Sequence, residues 1–277
     1  MQMSKKRLDV LLVERDLIET REKAKRVVMA GLVFSEQTRL DKPGMKVDDD
    51  IPITVKGNVI PYVGRGGLKL EKALNYFPIE VRDKTMVDVG SSTGGFTDCA
   101  LQNGAKKCYA IDVGYNQLDW KLRNDHRVIV MERTNFRYVT REMLTEGLPN
   151  FATIDVSFIS LKLILPVLKE LLMDQSEVIA LIKPQFEAGR EQVGKKGIVR
   201  DKKVHREVLK KIITFAIDEG YEFYGLTFSP ITGGEGNVEF LANFGWKKEK
   251  AGISISDVEI EQVVEEAHQK LKASNGK

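Results

Sequence analysis

The stretch Met86-Val87-Asp88-Val89-Gly90-Ser91-Ser92-Thr93-Gly94-Gly95-Phe96-Thr97 decides the fold of this chain. It is an apolar strand that runs into a glycine-rich turn and then into a helical pattern. In open α/β sheets a ligand binds where such a turn follows the carboxyl end of a strand, and the helix N-terminus favours a negative group. The stretch therefore predicts a ligand site at the edge of a parallel sheet.

The glycine spacing excludes two common ligands. A dinucleotide site requires G-x-G-x-x-G and a P-loop ends in Lys-Ser/Thr, and residues 88–97 match neither pattern. The turn suits a ligand with an ammonium group, a carboxylate and a ribose diol, with Asp88 near the ammonium group and Asp112 accepting from the ribose hydroxyls. S-adenosylmethionine is such a ligand. The predicted residues for binding it are Asp88, Gly90, Ser91, Ser92, Thr93, Gly94, Gly95, Phe96, Thr97, Asp112, Val113 and Asp155.

From residue 85 onward, apolar runs alternate with helical patterns, which predicts a doubly wound, Rossmann-like α/β domain. The seven predicted strands are 85–89, 107–112, 127–131, 151–156, 177–182, 221–228 and 238–244. The predicted helices are 94–103, 117–123, 140–146, 160–172, 202–219 and 256–272.

The first sixty residues predict a small α+β domain with helical patterns over 8–18 and 20–30 and strands at 32–34 and 51–55. Its second helix is basic. The order of its motifs, from Arg7-Leu8-Asp9 through Thr20-Arg21-Glu22-Lys23-Ala24 to Gly31-Leu32-Val33, resembles the S4 RNA-binding domain. The resemblance implies contact with RNA backbone. The predicted contacts in this domain are Arg7, Arg21, Lys23, Lys25 and Arg26.

We predict an S4-like domain over 1–57, a glycine-containing linker over 58–66 and an α/β domain with the S-adenosylmethionine site over 67–277. The chain has 277 residues with 42% hydrophobic and 30% charged side chains, as in a soluble globular protein. Its net charge is only +3. Any contact with nucleic acid must therefore depend on how the charges are distributed.

The composition also limits the chemistry and the compartment. Cys99 and Cys108, with three widely separated histidines, cannot form a disulfide framework or a four-ligand zinc site, so we expect no metal and a reducing cytoplasm. We read the histidines as surface or packing residues. No apolar run approaches the length needed to span a bilayer and the first residues lack the apolar core of a signal peptide, so we expect no stable membrane insertion.

Four polar residues fall where strands end or where a helix begins at the predicted pocket: Lys69, Asp155, Lys183 and Glu239. Pro184 holds Lys183 in an extended conformation at the sheet edge. The four look like the Lys-Asp-Lys-Glu tetrad of FtsJ-like ribose 2′-O-methyltransferases. Together with the S4-like domain and the motifs Asp155-Val-Ser-Phe-Ile-Ser-Leu and Lys183-Pro-Gln-Phe-Glu, nearly the whole chain resembles the TlyA family of hemolysin/ribosomal RNA methyltransferases. The pair Ser92-Thr93 departs from the alanine-proline of many FtsJ relatives.

The resemblance implies transfer of a methyl group from S-adenosylmethionine to a cytidine 2′-hydroxyl in ribosomal RNA. In this interpretation Lys183 assists deprotonation of the hydroxyl or stabilises the alkoxide, and Asp155 orients Lys183 beside the methyl donor. Lys69 and Glu239 complete the polar network.

A second basic region lies in the methyltransferase domain. Residues 183–211 contain ten lysines and arginines against four acidic residues. We read 186–200 as a mobile loop at the pocket mouth that contacts RNA phosphate or closes over the substrate, with a solvated loop as the alternative. The predicted RNA contacts outside the S4-like domain are Arg65, Lys195, Lys196 and Arg200.

Two other function classes stay open. The chain could be a non-catalytic RNA-binding or ribosome-assembly factor, or a membrane-lytic hemolysin as the family's name suggests. The sequence determines neither the target nucleotide, nor the ribosomal subunit, nor the oligomeric state.

Overall fold

The computed structural model describes residues 5–18, 20–29, 31–56, 60–233, 236–247 and 257–274. The chain forms two compact units, Met1–Pro61 and Tyr62–Lys277. The division falls inside the segment predicted as a linker, 58–66, of which residues 58 and 59 lie outside the described residues. Residues 62–66 belong to the second unit.

Over its described residues, the first unit contains two helices and five short strands. In chain order the elements are β1 (Lys5–Arg7), α1 (Leu8–Glu14), α2 (Arg21–Met29), β2 (Val33–Ser35), β3 (Thr38–Arg39), β4 (Lys46–Asp48) and β5 (Thr54–Val55). β1 pairs antiparallel with β4, and β2 lies between β3 and β5. The core comes from the apolar faces of α1 and α2, including Leu8, Leu12 and Val28. Strands β1, β3 and β4 were not predicted, because two or three residues show no measurable periodicity.

In the part of the second unit that the structure describes, there are seven strands and seven α-helices. The strands are β6 (Thr85–Val89), β7 (Lys107–Ile111), β8 (Val128–Met131), β9 (Phe151–Ile154), β10 (Ser176–Ile182), β11 (Tyr221–Phe228) and β12 (Phe240–Trp246). The helices are α3 (Gly66–Tyr76), α4 (Gly95–Gln102), α5 (Trp120–Arg123), α6 (Leu165–Leu171), α7 (Pro184–Glu187), α8 (Lys202–Asp218) and α9 (Asp257–Ser274).

The seven strands form one sheet in the order β11-β12-β10-β9-β6-β7-β8. The five strands from β10 to β8 are mutually parallel, while β12 is antiparallel to both β10 and β11. The chain reverses direction across the sheet between β6 and β9, and this is where ligands bind in open α/β sheets. The predicted fold class, a seven-stranded Rossmann-like sheet, is confirmed.

Three predicted helices differ from the structure. The segment 117–123 is helical only over α5, Trp120–Arg123. The segment 140–146 forms only a 3-10 turn at Arg141–Met143, and 160–172 divides into a 3-10 turn at Leu161–Leu163 followed by α6. Pro166 lies in the first turn of α6, where its missing N–H costs no helical hydrogen bond. The proline therefore begins the helix and does not interrupt a longer one.

Two of the three histidines form a buried pair that joins α8 to α9. His205 Nδ1 lies 3.0 Å from His268 Nε2, and the other ring nitrogen of His205 contacts the backbone oxygen of Val199 at 3.1 Å. The histidines were predicted to be surface or packing residues. His205 and His268 are buried packing residues, and His126 is exposed on the surface. Burial, with the neighbouring imidazole, lowers the pKa of His205 from 6.5 to about 4.

This pair predicts a pH-dependent loss of stability. Below pH 6.5 the unfolded chain binds a proton at His205, whereas the folded chain does not bind it until about pH 4. The contribution of His205 to the free energy of unfolding is therefore complete above pH 6.5 and is lost on acidification. Between pH 7 and pH 5 the loss is about 2 kcal/mol. Urea unfolding of wild type and His205→Gln at both pH values measures it, since other titrating groups cancel in the difference. Equal pH dependence of the two proteins would contradict the assignment.

Among the described residues, no helix has both the length and the apolar character required to cross a bilayer.

Candidate active site

Two cavities lie at the carboxyl edge of the parallel strands and share a wall. The larger has a volume of about 570 Å³ and the smaller about 430 Å³. The residues common to both linings are Gly90, Ser92, Asp155, Ser157 and Phe158. A group bound in one cavity can therefore meet a group bound in the other across Asp155.

The four residues predicted as a tetrad meet in the larger cavity. Lys69 Nζ lies 2.8 Å from a carboxylate oxygen of Glu239 and 3.4 Å from Asp155 Oδ2. Lys183 Nζ lies 2.6 Å from the other oxygen of Asp155 and donates to Ser157 Oγ at 2.9 Å. The groups form a continuous chain in the order Glu239, Lys69, Asp155, Lys183.

Sheet register explains why residues so distant in sequence meet. Ile182 of β10 pairs with Phe240 of β12, so Lys183 and Glu239 occupy facing positions one residue beyond the ladder. Asp155 directly follows β9, the neighbour of β10 on its other side. Lys183 has extended backbone angles before Pro184, as predicted. Glu239 precedes β12 and does not lie within it, because the strand begins at Phe240.

Lys69 and Lys183 differ in the number of carboxylates that they contact. Burial by itself would lower the pKa of Lys69, but the adjacent carboxylates of Asp155 and Glu239 outweigh it and raise that pKa. Lys69 is therefore a permanent ammonium group between two carboxylates and cannot act as a base at neutral pH. Lys183 contacts one carboxylate and the hydroxyl of Ser157, and it lies on the wall of the larger cavity.

The glycine-rich turn is shaped by close contacts within the chain. Gly90 has φ +84°, and a Cβ there would lie 2.6 Å from the backbone oxygen of Asp155. Gly94 has φ +93°, and a Cβ there would lie 2.2 Å from a side-chain carbon of Leu122. Gly90 and Gly94 were predicted as residues that bind the donor. The structure shows that they also let the turn pack against Asp155 and α5.

Asp88 does not occupy the position predicted for it. Its carboxylate is fully buried and accepts hydrogen bonds from the backbone N–H and hydroxyl of Thr97, at 3.1 and 2.7 Å, and from the hydroxyl of Thr153 at 2.8 Å. Burial raises the pKa of Asp88 to about 6. Asp88 and Thr97 therefore anchor the turn to the start of α4 and do not reach a bound ammonium group.

The other predicted donor-binding residues divide between the cavities, with Gly94 behind the turn against α5. Those on the larger cavity are Gly90, Ser91, Ser92, Thr93, Gly95, Phe96 and Asp155. Asp112 and Val113 line the smaller one. Asp112 accepts from the backbone N–H groups of Ser92 at 2.8 Å and Gly114 at 2.7 Å, one on each oxygen. Each oxygen keeps a lone pair, so the carboxylate can still accept from a ribose diol.

Several lining residues were missed by sequence reasoning. Phe158 is 90% exposed with φ +63°, and its ring centroid lies 4.9 Å from that of Phe186. Asn135 and Phe136 line the smaller cavity after β8, and Gln185 and Asn237 line the larger one. Phe158 and Gln185 stand inside motifs that the sequence analysis quoted, but a motif by itself does not say where each side chain points.

The predicted RNA contacts fall into two groups within the second unit. Arg65 and Lys196 line the larger cavity, while Lys195 and Arg200 are exposed on the same segment as Lys196. This segment is held in place, because the Asn237 side chain bonds the backbone at Gly197 and Val199. Phe186, Lys196 and Gly197, in the segment 186–200 that was predicted as a mobile loop, line the larger cavity. The mobility of the segment and its contact with RNA stay predictions.

In the first unit, Arg7 and Arg21 flank the buried carboxylate of Asp9, each at 3.0 Å. Hydrogen bonds from Arg7 and then Arg21 lower the pKa of Asp9 to about 2. The arginine side chains stay 46% and 51% exposed, so they can still meet phosphate. The other predicted contacts of this unit, Lys23, Lys25 and Arg26, lie on α2, where Lys25 pairs with Glu22.

Comparison with protein families matches both units. Residues 62–246 match the FtsJ-like methyltransferase family, and residues 6–50 match the S4 domain.

Individual relatives extend over nearly the whole chain. A Bacillus subtilis protein, YqxC, assigned by name to the rRNA methyltransferases, is 67% identical over 98% of this chain and 97% of its own. The Mycobacterium tuberculosis 16S/23S rRNA (cytidine-2′-O)-methyltransferase TlyA is 38% identical over 94% of this chain and 96% of its own. A solved structure from Streptococcus thermophilus, carrying the name hemolysin, is 53% identical with a TM-score of 0.79 and covers 99% of this chain and 100% of its own.

Proposed function

Because the chain belongs to the TlyA family of FtsJ-like methyltransferases and carries an S4 domain, we propose that it methylates the 2′-hydroxyl of a cytidine in ribosomal RNA, with S-adenosylmethionine as donor. The observation that carries the proposal is the shared wall at Asp155. On one side lies a cavity with an acceptor for a ribose diol, and on the other lies the chain of alternating carboxylates and ammonium groups.

The smaller cavity fits the adenosine part of the donor. Asp112 offers one free lone pair on each oxygen for the two ribose hydroxyls, and apolar side chains such as Phe136 and Ile164 line the wall. The N-terminus of α4, beside Gly95, suits the donor's carboxylate. When bound, the donor supplies an electrophilic methyl group on a sulfonium ion.

The larger cavity fits the nucleotide. A ribose hydroxyl is a weak nucleophile that must lose its proton as it attacks the methyl carbon, while the carbon–sulfur bond breaks and the electron pair stays on sulfur. Lys183 lies on this wall, oriented by Asp155 and Ser157. As a neutral amine, its Nζ accepts the proton of the hydroxyl; as an ammonium group, it stabilises the alkoxide while water accepts that proton. Lys69 holds Asp155 in place through an ion pair of 3.4 Å.

The surroundings suit RNA more than a small substrate. Arg65 and Lys196 place positive charge at the wall of the larger cavity, where nucleotide phosphates can be neutralised. The exposed ring of Phe158 offers a stacking face for a base at the junction of the two cavities. With ribosomal RNA as substrate, the protein acts in the cytoplasm.

Methyl transfer to ribosomal subunits from a strain lacking this protein tests the proposal. The purified protein and donor with an isotopically labelled methyl group are expected to yield labelled 2′-O-methylcytidine in a nucleoside digest analysed by mass spectrometry. Binding of subunits without label transfer would indicate a non-catalytic RNA-binding factor and overturn the proposal. So would label on a base, or dye release from lipid vesicles as the sole activity.

A further inference from the structure

Gln185 is not one of the four proposed tetrad residues, but its side chain contacts one of them, Glu239. It lies on α7, two residues after Lys183, and lines the larger cavity. Its side-chain amide donates a hydrogen bond to Glu239 Oε1 at 3.2 Å, while Lys69 donates to the other oxygen at 2.8 Å. Gly233 closes the third side, because a Cβ there would lie 2.1 Å from Glu239 Oε1. The Glu239 carboxylate is thus fixed in position by its neighbours.

The hydrogen bond from Gln185 to Glu239 leaves the other polar atom of the amide unpaired within the described part of the chain. Its carbonyl oxygen, Oε1, is buried and has no hydrogen-bond partner among the described residues. Reversing the amide would bring two acceptor oxygens together at Glu239, so the carboxylate decides the orientation. An apolar side chain of the same length would avoid the unpaired buried oxygen. An unsatisfied buried group in a native fold calls for a reason, and here the reason is the N–H donated to Glu239.

The fold of α7 does not depend on this amide. Glu187, on the same short helix, accepts from the hydroxyl of Ser160 at 2.6 Å and the backbone N–H of Leu161 at 2.7 Å. Pro184 is buried at the start of the helix. These contacts seat α7 against its neighbours, so the Gln185 side chain can be changed without unseating the helix.

Resting on the proposed function, we infer that Gln185 is a positioning residue for methyl transfer. It fixes the carboxylate of Glu239, and Glu239 in turn holds the ammonium group of Lys69 against Asp155. Gln185 acts through these groups on the geometry at Lys183. Loss of its amide should therefore slow the chemical step and leave the binding of donor and RNA intact.

The test is Gln185→Met, which keeps the length and removes both polar atoms. We expect kcat to fall roughly 10- to 100-fold, with KM for donor and RNA within about twofold of wild type. The melting temperature should stay equal or rise, because the unpaired oxygen is removed. A merely structural role would instead lower the melting temperature and leave kcat of the folded fraction unchanged.

Gln185→Glu adds a second measurement, the pH dependence of kcat, which a change in packing alone would not alter. At neutral pH its carboxylate faces Glu239 and repels it, so we expect a larger loss of kcat than in Gln185→Met. On acidification the pair can share one proton, which restores an O–H donor to Glu239. The ratio of variant to wild-type kcat should therefore rise as pH falls for Gln185→Glu and stay flat for Gln185→Met.

Gln102→Met is the matched control, because it removes a glutamine hydrogen bond to a carboxylate, Asp98, at 3.1 Å outside both cavities. Its kcat should match wild type. Wild type in the same assay separates the two proposals. An inactive wild type overturns the proposed function and this inference together, whereas an active wild type with an equally active Gln185→Met overturns the inference alone.

Discussion

Replacing Lys183 with alanine is expected to slow methyl transfer by about 10²- to 10⁴-fold while the donor still binds. The variant removes the ammonium group that lies 2.6 Å from Asp155 and 2.9 Å from Ser157. Asp155 keeps Lys69 as its partner at 3.4 Å, so no carboxylate is left without a counter-charge. The smaller cavity, whose lining excludes Lys183, is unchanged. Single-turnover rates and calorimetry with the donor measure the two quantities separately.

The control for this variant is Lys169→Ala. Lys169, on α6, forms an ion pair of 2.7 Å with Glu219, outside both cavities. Its removal therefore tests the loss of a lysine–carboxylate contact as such. Its activity should equal wild type. Full activity in Lys183→Ala would refute the role given to Lys183. Loss of donor affinity together with rate would show that Lys183 supports the fold of the site and not the chemical step.

The second large effect is expected for Gly90→Ala, which should abolish donor binding, with at least a hundredfold loss of affinity. The added Cβ would lie 2.6 Å from the backbone oxygen of Asp155, a distance that requires the turn and Asp155 to move apart. Both line the two cavities, and a displacement of about 1 Å is enough to cost roughly 10²-fold. The left-handed φ of +84° adds backbone strain of about 1–2 kcal/mol.

Gly147→Ala separates strain from crowding. Gly147 has φ +99°, but an added Cβ would meet no atom within 4 Å. It should therefore lose only about 1–2 kcal/mol of stability, by backbone strain, and bind the donor like wild type. Calorimetry and urea unfolding on both variants give the comparison. Donor binding by Gly90→Ala at wild-type affinity would mean that the turn does not form the donor site.

Most of the second unit could be predicted from the sequence. The runs at 85–89 and 221–228 have the predicted bounds, and the other five strands differ by one or two residues at their ends. Long apolar runs between helical patterns are a strong signal, because strand and helix place side chains with different periods. The prediction of the first unit was less complete, because β1 and β4 pair with each other across a long stretch of sequence and β3 has only two residues.

The sequence predicted which residues form the candidate site better than it predicted how their side chains contact one another. Lys69, Asp155, Lys183 and Glu239 were predicted from their positions at strand ends or a helix start and, as a set, from their resemblance to the FtsJ-like tetrad. Asp88 was given the wrong role, because its position before the turn suggests a ligand contact. The hydroxyls of Thr97 and Thr153 instead take up its carboxylate in the interior.

The sequence by itself determined the class of fold, the position of the turn and which charged residues stand at the strand ends, because these follow from local periodicity and spacing. Only the tertiary structure decided which side chains form hydrogen bonds or ion pairs with one another. Lys69 with Glu239, Gln185 with Glu239, and His205 with His268 are separated by 170, 54 and 63 residues. Such pairs form when strand register and helix packing bring distant backbones together, and short polar contacts depend on distances that no local pattern encodes.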